Sequence, residues 1–237
     1  MMAVGLAMMM MVVVLAVDGY DTNGVYGPCS DAKIQRRDGF TLGLAFSSRE
    51  SFFFNQTQLS PCDRRLGLAS NAQFALFRPR VDEISLLTLN STGSVFSPDI
   101  YGGYMVAFAG RKYAARSLPV FVANKDYILT SFTLVLEFQE GTLQNFFWKQ
   151  DGCASCSGKS AFICVKQLGC AIRTSSCNSH GGPVDCSLSI QLAFSGTDRN
   201  YDVLNSWYEV ANLKQYSLFN LYSDLKDSLS ILNGNIL

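Results

Sequence analysis

The chain has 237 residues, 48% of them hydrophobic, and its 19 basic residues balance its 19 acidic ones. A balanced charge produces no long-range field toward nucleic acid or an anionic membrane surface, so we expect neither as a partner. The chain also has a single histidine, His180, and any mechanism with a catalytic histidine must use it.

Residues 1–16 are almost wholly apolar, and the first charged residue, Asp18, follows directly. This pattern is typical of a secretion signal cleaved after Ala16 or Gly19, and we assign residues 1–19 to it. An uncleaved anchor is the alternative, although about 20 apolar residues are needed to span a bilayer and this run is shorter. No second apolar run of that length follows, so we expect a secreted protein without a membrane span.

Two tripeptides match the acceptor sequence for N-glycosylation, at Asn55 and at Asn90. Each match alone has low specificity. Both agree with passage through the secretory pathway, so we predict that Asn55 and Asn90 carry glycans.

Three segments alternate apolar with small or polar residues at the period of a strand that has one buried face. They are residues 39–46, 131–138 and 187–194. Weaker strand patterns occupy residues 73–77, 84–89, 104–108, 118–122 and 143–148. Many short strands separated by Gly, Pro, Asn and Asp favour one antiparallel β-sandwich, of jelly-roll or immunoglobulin-like type, over residues 20–237.

Six of the eight cysteines fall within residues 151–186, a segment rich in glycine and serine. In a secreted protein, cysteines at this density indicate disulfides. We therefore predict a disulfide-rich insert at 151–186, with no metal and no cofactor. All eight cysteines are assigned to disulfides: Cys29, Cys62, Cys153, Cys156, Cys164, Cys170, Cys177 and Cys186.

The pairing of these cysteines stays open, because eight of them permit 105 connectivities. Cys29 and Cys62 can bridge each other across the first strands. A zinc site on Cys153 and Cys156 is the competing hypothesis, since their spacing suits a metal. Secretion and the single histidine argue against it.

From Asp202 onward the apolar residues recur at helical spacing. The pattern predicts a helical C-terminal segment over residues 202–232, with leucines along one side. The simplest interpretation is a buried helix face; a helix that binds a partner protein is the alternative.

No catalytic constellation emerges from the sequence. His180 lies in a polar loop, and the chain lacks the G-x-S-x-G turn of a serine nucleophile. A pair of carboxylates could hydrolyse glycosidic bonds without histidine, and Glu83 and Glu137 are the candidates. Exposed aromatic rings could stack on sugars, although strand alternation predicts that most of them are buried.

Basic residues occur in pairs and small groups, and most of them, including Arg64 and Arg65, are expected on solvated faces. We predict that the loop with Arg111, Lys112 and Arg116 contacts an acidic polysaccharide, because fixed cations recognise carboxylates.

Four stretches of the chain resemble a family of plant secreted proteins often labelled Expp-like: FALFRPRVDEISLL (74–87), GGYMVAFAGRKYAARS (102–117), DGCASCSGKS (151–160) and NSWYEV (205–210). The resemblance covers nearly the whole chain after the signal. It implies a land-plant glycoprotein of the apoplast or cell surface, with one domain, and it supplies no catalytic residues.

We therefore expect a secreted, non-catalytic module that binds cell-wall carbohydrate or an extracellular protein. Two other hypotheses remain open. One is a wall-polysaccharide hydrolase that uses a carboxylate pair, and the other is a structural or signalling ectodomain whose C-terminal helix docks on another protein.

Overall fold

The computed structural model describes residues 20–89, 101–110, 115–149, 152–153, 156, 162–165 and 169–208. Within them the chain is mainly β. The strands, in chain order, are β1 (Leu42–Ser47), β2 (Phe53–Phe54), β3 (Thr57–Gln58), β4 (Gln73–Phe77), β5 (Ser85–Leu89), β6 (Tyr104–Ala109), β7 (Ala115–Arg116), β8 (Val120–Phe121), β9 (Tyr127–Ile128), β10 (Ser131–Gln139), β11 (Thr142–Lys149), β12 (Ile163–Val165), β13 (Gly169–Arg173), β14 (Leu188–Thr197) and β15 (Val203–Leu204). Short 3-10 helices occupy Glu50–Phe52, Arg64–Leu66, Thr174–Ser176 and Asn178–His180.

Two five-stranded sheets form the body of the protein. The first has the order β4-β1-β6-β7, with β8 also paired to β6, and the second has the order β11-β10-β14-β15, with β5 also paired to β14. Apolar residues of both sheets belong to one buried cluster, and the rings of Phe40 and Phe138 meet edge to face at 5.1 Å within it. The prediction of a mainly β fold with antiparallel sheets is confirmed. Its jelly-roll or immunoglobulin-like type stays a prediction.

One strand pair departs from the antiparallel arrangement. Strands β10 and β14 run parallel, in register from Ser131 opposite Ser189 to Phe138 opposite Gly196. Side-chain alternation specifies which face of a strand is buried, and it is the same for parallel and antiparallel neighbours. The sequence pattern located both strands correctly but contained no information on their relative direction.

Strand β1 is buried on both faces, unlike the half-buried strand that its alternation predicts. Leu42, Leu44 and Phe46 join the main core. On the other face Ala45 packs in a second cluster that includes Phe52 and Phe108. This smaller cluster exists because residues 48–72 fold back over the outer face of the first sheet.

Gly43 on that outer face makes room for its neighbour across the strands. A Cβ atom added at Gly43 would lie against the Phe108 ring, which occupies the space that a side chain would need. The absence of a side chain at residue 43 therefore lets Phe108 lie flat on β1.

The predicted helix over 202–232 is wrong at its start. Val203–Leu204 forms strand β15 and pairs with β14, where Leu204 is fully buried opposite Gly196. Leu204 and Trp207 are three residues apart, and a strand followed by a turn can bury such a pair as well as a helix can. Residues 206–208 are helical, and the rest of the predicted segment lies outside the described residues.

All eight cysteines form disulfides, as predicted. The bonds are Cys29–Cys62, Cys153–Cys164, Cys156–Cys170 and Cys177–Cys186. The zinc hypothesis for Cys153 and Cys156 is therefore wrong, because both sulfur atoms are bonded to sulfur. Cys164 and Cys170 lie opposite each other in the β12–β13 hairpin, so two of the bonds fix that hairpin from both strands.

The insert packs on the body of the protein. Strand β13 pairs with β9, and Ala171, Ile172, Cys177 and Cys186 belong to the main buried cluster. No helix among the described residues combines the length and the apolar character that a membrane crossing requires.

The N-terminal arm, residues 20–41, is attached to the first sheet by Arg78. The Arg78 guanidinium donates hydrogen bonds to the Val25 carbonyl oxygen at 2.7 Å and to Asp21 Oδ2 at 2.8 Å. Its Cζ also lies 4.1 Å from the centre of the Tyr26 ring, a cation–π contact. Because Cys29 belongs to this arm, the position of the Cys29–Cys62 bond depends on these contacts.

This attachment should weaken in acid. Burial alone would raise the pKa of Asp21, but hydrogen bonds from Arg78 and from the backbone N–H groups of Gly39 and Asn23 lower it below the ordinary 3.8. A lowered pKa in the folded state stabilises the fold above the unfolded value, and the stabilisation is lost as the pH falls through the lowered pKa. We expect the amide protection factors of residues 20–26 to fall below pH 3.8.

The Asp21→Asn variant is the control for this expectation, because it cannot titrate at residue 21. Its arm should exchange faster than the native arm at neutral pH and should respond less to acid. Equal acid responses in the two proteins would contradict the assignment of the effect to Asp21.

Candidate anion-binding cleft

A cleft of about 590 Å³ lies between strand β7 and the segment that follows β3. Three arginine guanidiniums, one carboxylate and several hydroxyl and amide groups surround it. The lining residues are Thr57, Gln58, Leu59, Ser60, Cys62, Asp63, Arg64, Arg65 and Arg116.

Residues 53–62 form the first wall, and three contacts fix it. Strands β2 and β3 make a tight hairpin whose tip residues, Asn55 and Gln56, have φ values of 46° and 66°. Buried Gln58 donates from Nε2 to the carbonyl oxygen of Ser117 at 2.7 Å, which joins this wall to the segment after β7. The Cys29–Cys62 bond attaches the far end of the wall to the N-terminal arm.

Arg65 has its charge partner within the cleft. Asp63 caps the 3-10 helix by accepting from the Arg65 backbone N–H at 3.0 Å, and its carboxylate also accepts from Arg65 Nε at 3.0 Å and Nη2 at 2.7 Å. The hydrogen bonds that Arg65 donates to Asp63, together with the negative charge of that carboxylate, raise the pKa of Arg65. The Arg65 guanidinium also lies 5.5 Å from the Phe54 ring centre, so it is held between the hairpin and Asp63.

Arg116 forms the opposite wall and has no such partner. It lies on the outer face of the first sheet, opposite Phe108 in the β6–β7 pair. Its Nε atom is buried and makes no hydrogen bond to any of the described residues. Arg116 also lines the cleft, where the rest of its guanidinium can bind an acceptor that enters.

Arg64 supplies a second cation. Its side chain is exposed, and within the described part of the chain it has no ion pair or side-chain hydrogen bond. Arg64 and Arg116 therefore give the cleft a net positive character that Asp63 does not neutralise. Two guanidiniums beside the hydroxyls of Thr57 and Ser60 suit carboxylate, sulfate or phosphate oxygens.

The predicted loop contributes Arg116 to this cleft, while Arg111 and Lys112 lie outside the described residues. Arg64 and Arg65 are exposed, as the sequence predicts, and both line the cleft. One sequence signal pointed toward them: the arginine pair follows Cys62 closely, and a disulfide there fixes an otherwise polar loop.

The residues of the hydrolase hypothesis lie elsewhere. Glu137 on β10 is partly buried and accepts from Asn145 Nδ2 at 3.0 Å, and Glu83 is exposed, 3.9 Å from Arg80. Neither lines the cleft. His180 is exposed, as its loop composition predicts, and its Nδ1 lies 3.1 Å from the Ser179 hydroxyl.

The metal and aromatic hypotheses find less support. The described residues contain no group of three or more His, Cys, Asp or Glu side chains that could bind a metal ion. Of the aromatic rings that could stack on sugars, Phe147 and Tyr208 are exposed, whereas Trp148 packs edge to face on Phe132. None of these rings lines the cleft.

Comparison with known proteins gives a family and no activity. The family model described as Uncharacterised protein DDB_G0273449 matches the chain over residues 1–127 and again over residues 115–227. No curated protein and no solved structure matches the chain.

Proposed function

We propose that this chain, which belongs to the family described as Uncharacterised protein DDB_G0273449, is a secreted, non-catalytic module that binds an acidic cell-wall polysaccharide in the arginine cleft. The observation that supports this most strongly is that Arg64 and Arg116 line one cleft with Asp63, whose carboxylate is already bonded to Arg65. A uronate carboxylate has two oxygens in the planar geometry that a guanidinium matches.

Polymeric ligands suit a shallow cationic cleft better than small ones do. The interaction of one exposed ion pair is weak, about 0–1 kcal/mol. When Arg64 or Arg116 releases one carboxylate of a polysaccharide, the neighbouring carboxylates of the same chain stay close to the cleft. The effective concentration of carboxylate there is therefore high. We therefore expect modest affinity for a single uronate and much higher affinity for a chain of them.

Two further observations support secretion to a wall. All eight cysteines are paired, which agrees with an oxidising compartment outside the cytosol. The resemblance to Expp-like plant proteins favours the apoplast or cell surface of a land plant. Both observations agree equally well with an acidic extracellular protein as the partner of the cleft.

Replacement of Arg116 tests the proposal. We expect Arg116→Ala to weaken binding to oligogalacturonate by about tenfold, because one charge-assisted pair is lost. Arg64→Ala should weaken it by a smaller factor, since its guanidinium is exposed and better screened. Isothermal titration calorimetry at low and high salt measures both effects, and affinity should fall as salt rises.

Arg173→Ala is the matched control, because Arg173 is also exposed but lies on β13, away from the cleft. It should bind like the native protein. If Arg116→Ala and the double Arg64→Ala/Arg116→Ala variant both keep native affinity and native melting temperature, the cleft is not the binding site.

A further inference from the structure

We infer that Asn55 carries an N-glycan that stands at the rim of the arginine cleft and restricts which acidic chains can enter it. This inference rests on the proposed function for its ligand, but not for the position of the glycan. It joins two features that the sequence presents separately, the acceptor at Asn55 and the arginines at 64, 65 and 116.

Asn55 is placed for modification. It is exposed at the tip of the β2–β3 hairpin, and its φ of 46° directs the chain through a left-handed turn that asparagine tolerates. Thr57, which completes the acceptor sequence, is exposed as well. The side chains that an oligosaccharyl-transfer enzyme must reach are therefore both accessible in the folded hairpin.

The modification itself is a substitution at a sugar carbon. The Asn55 amide nitrogen forms a bond to the anomeric carbon of a lipid-diphosphate-linked oligosaccharide, whose bond to the diphosphate oxygen breaks. The amide loses one proton, and the lipid diphosphate leaves. The product is a neutral, bulky and hydrophilic group on the hairpin tip.

The hairpin cannot move this group away from the cleft. Thr57 lines the cleft only two residues from Asn55. The Phe54 ring lies under the Arg65 guanidinium, and the Leu59 N–H donates to the Phe52 carbonyl oxygen at 3.0 Å. The acceptor residue and the cleft wall thus belong to one fixed unit.

The expected consequence is selection by ligand length. A mono- or disaccharide can reach Arg116 without extending beyond the cleft. A long polyuronate must pass the hairpin tip, where the glycan excludes part of the space. The glycan therefore weakens binding of long chains and leaves short ligands unaffected.

The test uses protein secreted from a eukaryotic host. Asn55→Gly removes the acceptor and accepts the positive φ without strain. Asn90→Gln removes the other predicted acceptor and is the matched control. We expect the native protein to show a glycan at Asn55 by mass spectrometry, and Asn55→Gly to bind polygalacturonate about tenfold more tightly, equivalent to about 1.4 kcal/mol. Digalacturonate affinity should not change in either variant.

A second measurement needs no polysaccharide. Phenylglyoxal modifies accessible arginines, and peptide mapping follows its rate at Arg64. We expect slower modification of Arg64 in the glycosylated native protein than in Asn55→Gly, with Arg173 reacting equally in both. An unmodified Asn55, or equal rates at Arg64 together with equal polymer affinities, overturns the inference. If Arg64 is modified more slowly in the glycosylated protein but neither form binds uronate, the proposed function is refuted and the position of the glycan is not.

Discussion

Gly196→Ala is expected to leave little folded protein, with a loss in the free energy of unfolding of about 4 kcal/mol or more. Gly196 lies near the end of β14, opposite Phe138 on β10 and Leu204 on β15. A Cβ atom there would lie 1.8 Å from the Phe138 carbonyl oxygen. That oxygen is backbone in a paired strand, so it cannot turn aside as a side chain would.

Gly196 also has a φ of +93°, in a region that L-residues rarely adopt. The substitution therefore destabilises the fold for two reasons, the steric contact of the Cβ atom and the positive φ. Urea unfolding followed by circular dichroism measures the loss, provided that the variant is secreted in sufficient amount.

A matched control separates the steric contribution from the conformational one. Gly181 has a similar φ of +82°, but a Cβ atom there would have no neighbour within 4 Å. Gly181→Ala should lose only the conformational part, about 1–2 kcal/mol. Equal stability of the two variants would show that the close approach of β10 to β14 is not the reason why residue 196 must be glycine.

Asp198→Ala should produce the second large effect, a loss of about 3 kcal/mol or more. The Asp198 side chain is fully buried, and its carboxylate accepts from the backbone N–H groups of Arg36, Asn200 and Asp202 at 2.7–2.9 Å. Alanine leaves three donors without an acceptor. One of them belongs to the N-terminal arm, so the arm and the end of β14 should loosen together.

Two variants make this prediction specific. Asp202→Ala removes an exposed aspartate from the same loop and should leave stability within about 0.5 kcal/mol of native. Asp198→Asn keeps one side-chain oxygen and should fall between native and Asp198→Ala. Thermal melting and hydrogen exchange at residues 34–36 measure the three variants. An Asp198→Ala protein as stable as Asp202→Ala would show that Asp198 is not a structural acceptor.

The strands were predictable because a strand with one buried face alternates apolar and polar residues in the sequence. Leu136 and Phe138, or Ile190 and Leu192, alternate with polar residues and are all buried in the main core. Disulfide formation was predictable from the cysteine density and the predicted secretion, but the pairing was not, because eight cysteines permit 105 connectivities. Leu204 was misassigned because apolar residues three apart suit a helix and a strand followed by a turn alike.

The cleft was only partly predictable, because it brings together residues far apart in the chain. Arg116 stood among the predicted contacts, but Arg64 lies 52 positions earlier, and only the fold-back of residues 48–72 places them on one surface. The buried role of Asp198 had no signal either. An aspartate in a polar loop has the same sequence context whether it accepts three backbone bonds or none.

The parallel alignment of β10 and β14 has a consequence for how the chain reaches its folded state. Parallel neighbours cannot be joined by a tight turn, and the connection here runs from residue 140 to residue 187, with the insert inside it. Its three disulfides shorten the effective length of the segment that must close before the two strands meet, and a shorter segment closes at lower entropic cost. Oxidation of the insert should therefore precede assembly of the second sheet, so disulfide formation sets the order of folding as well as the stability of its product.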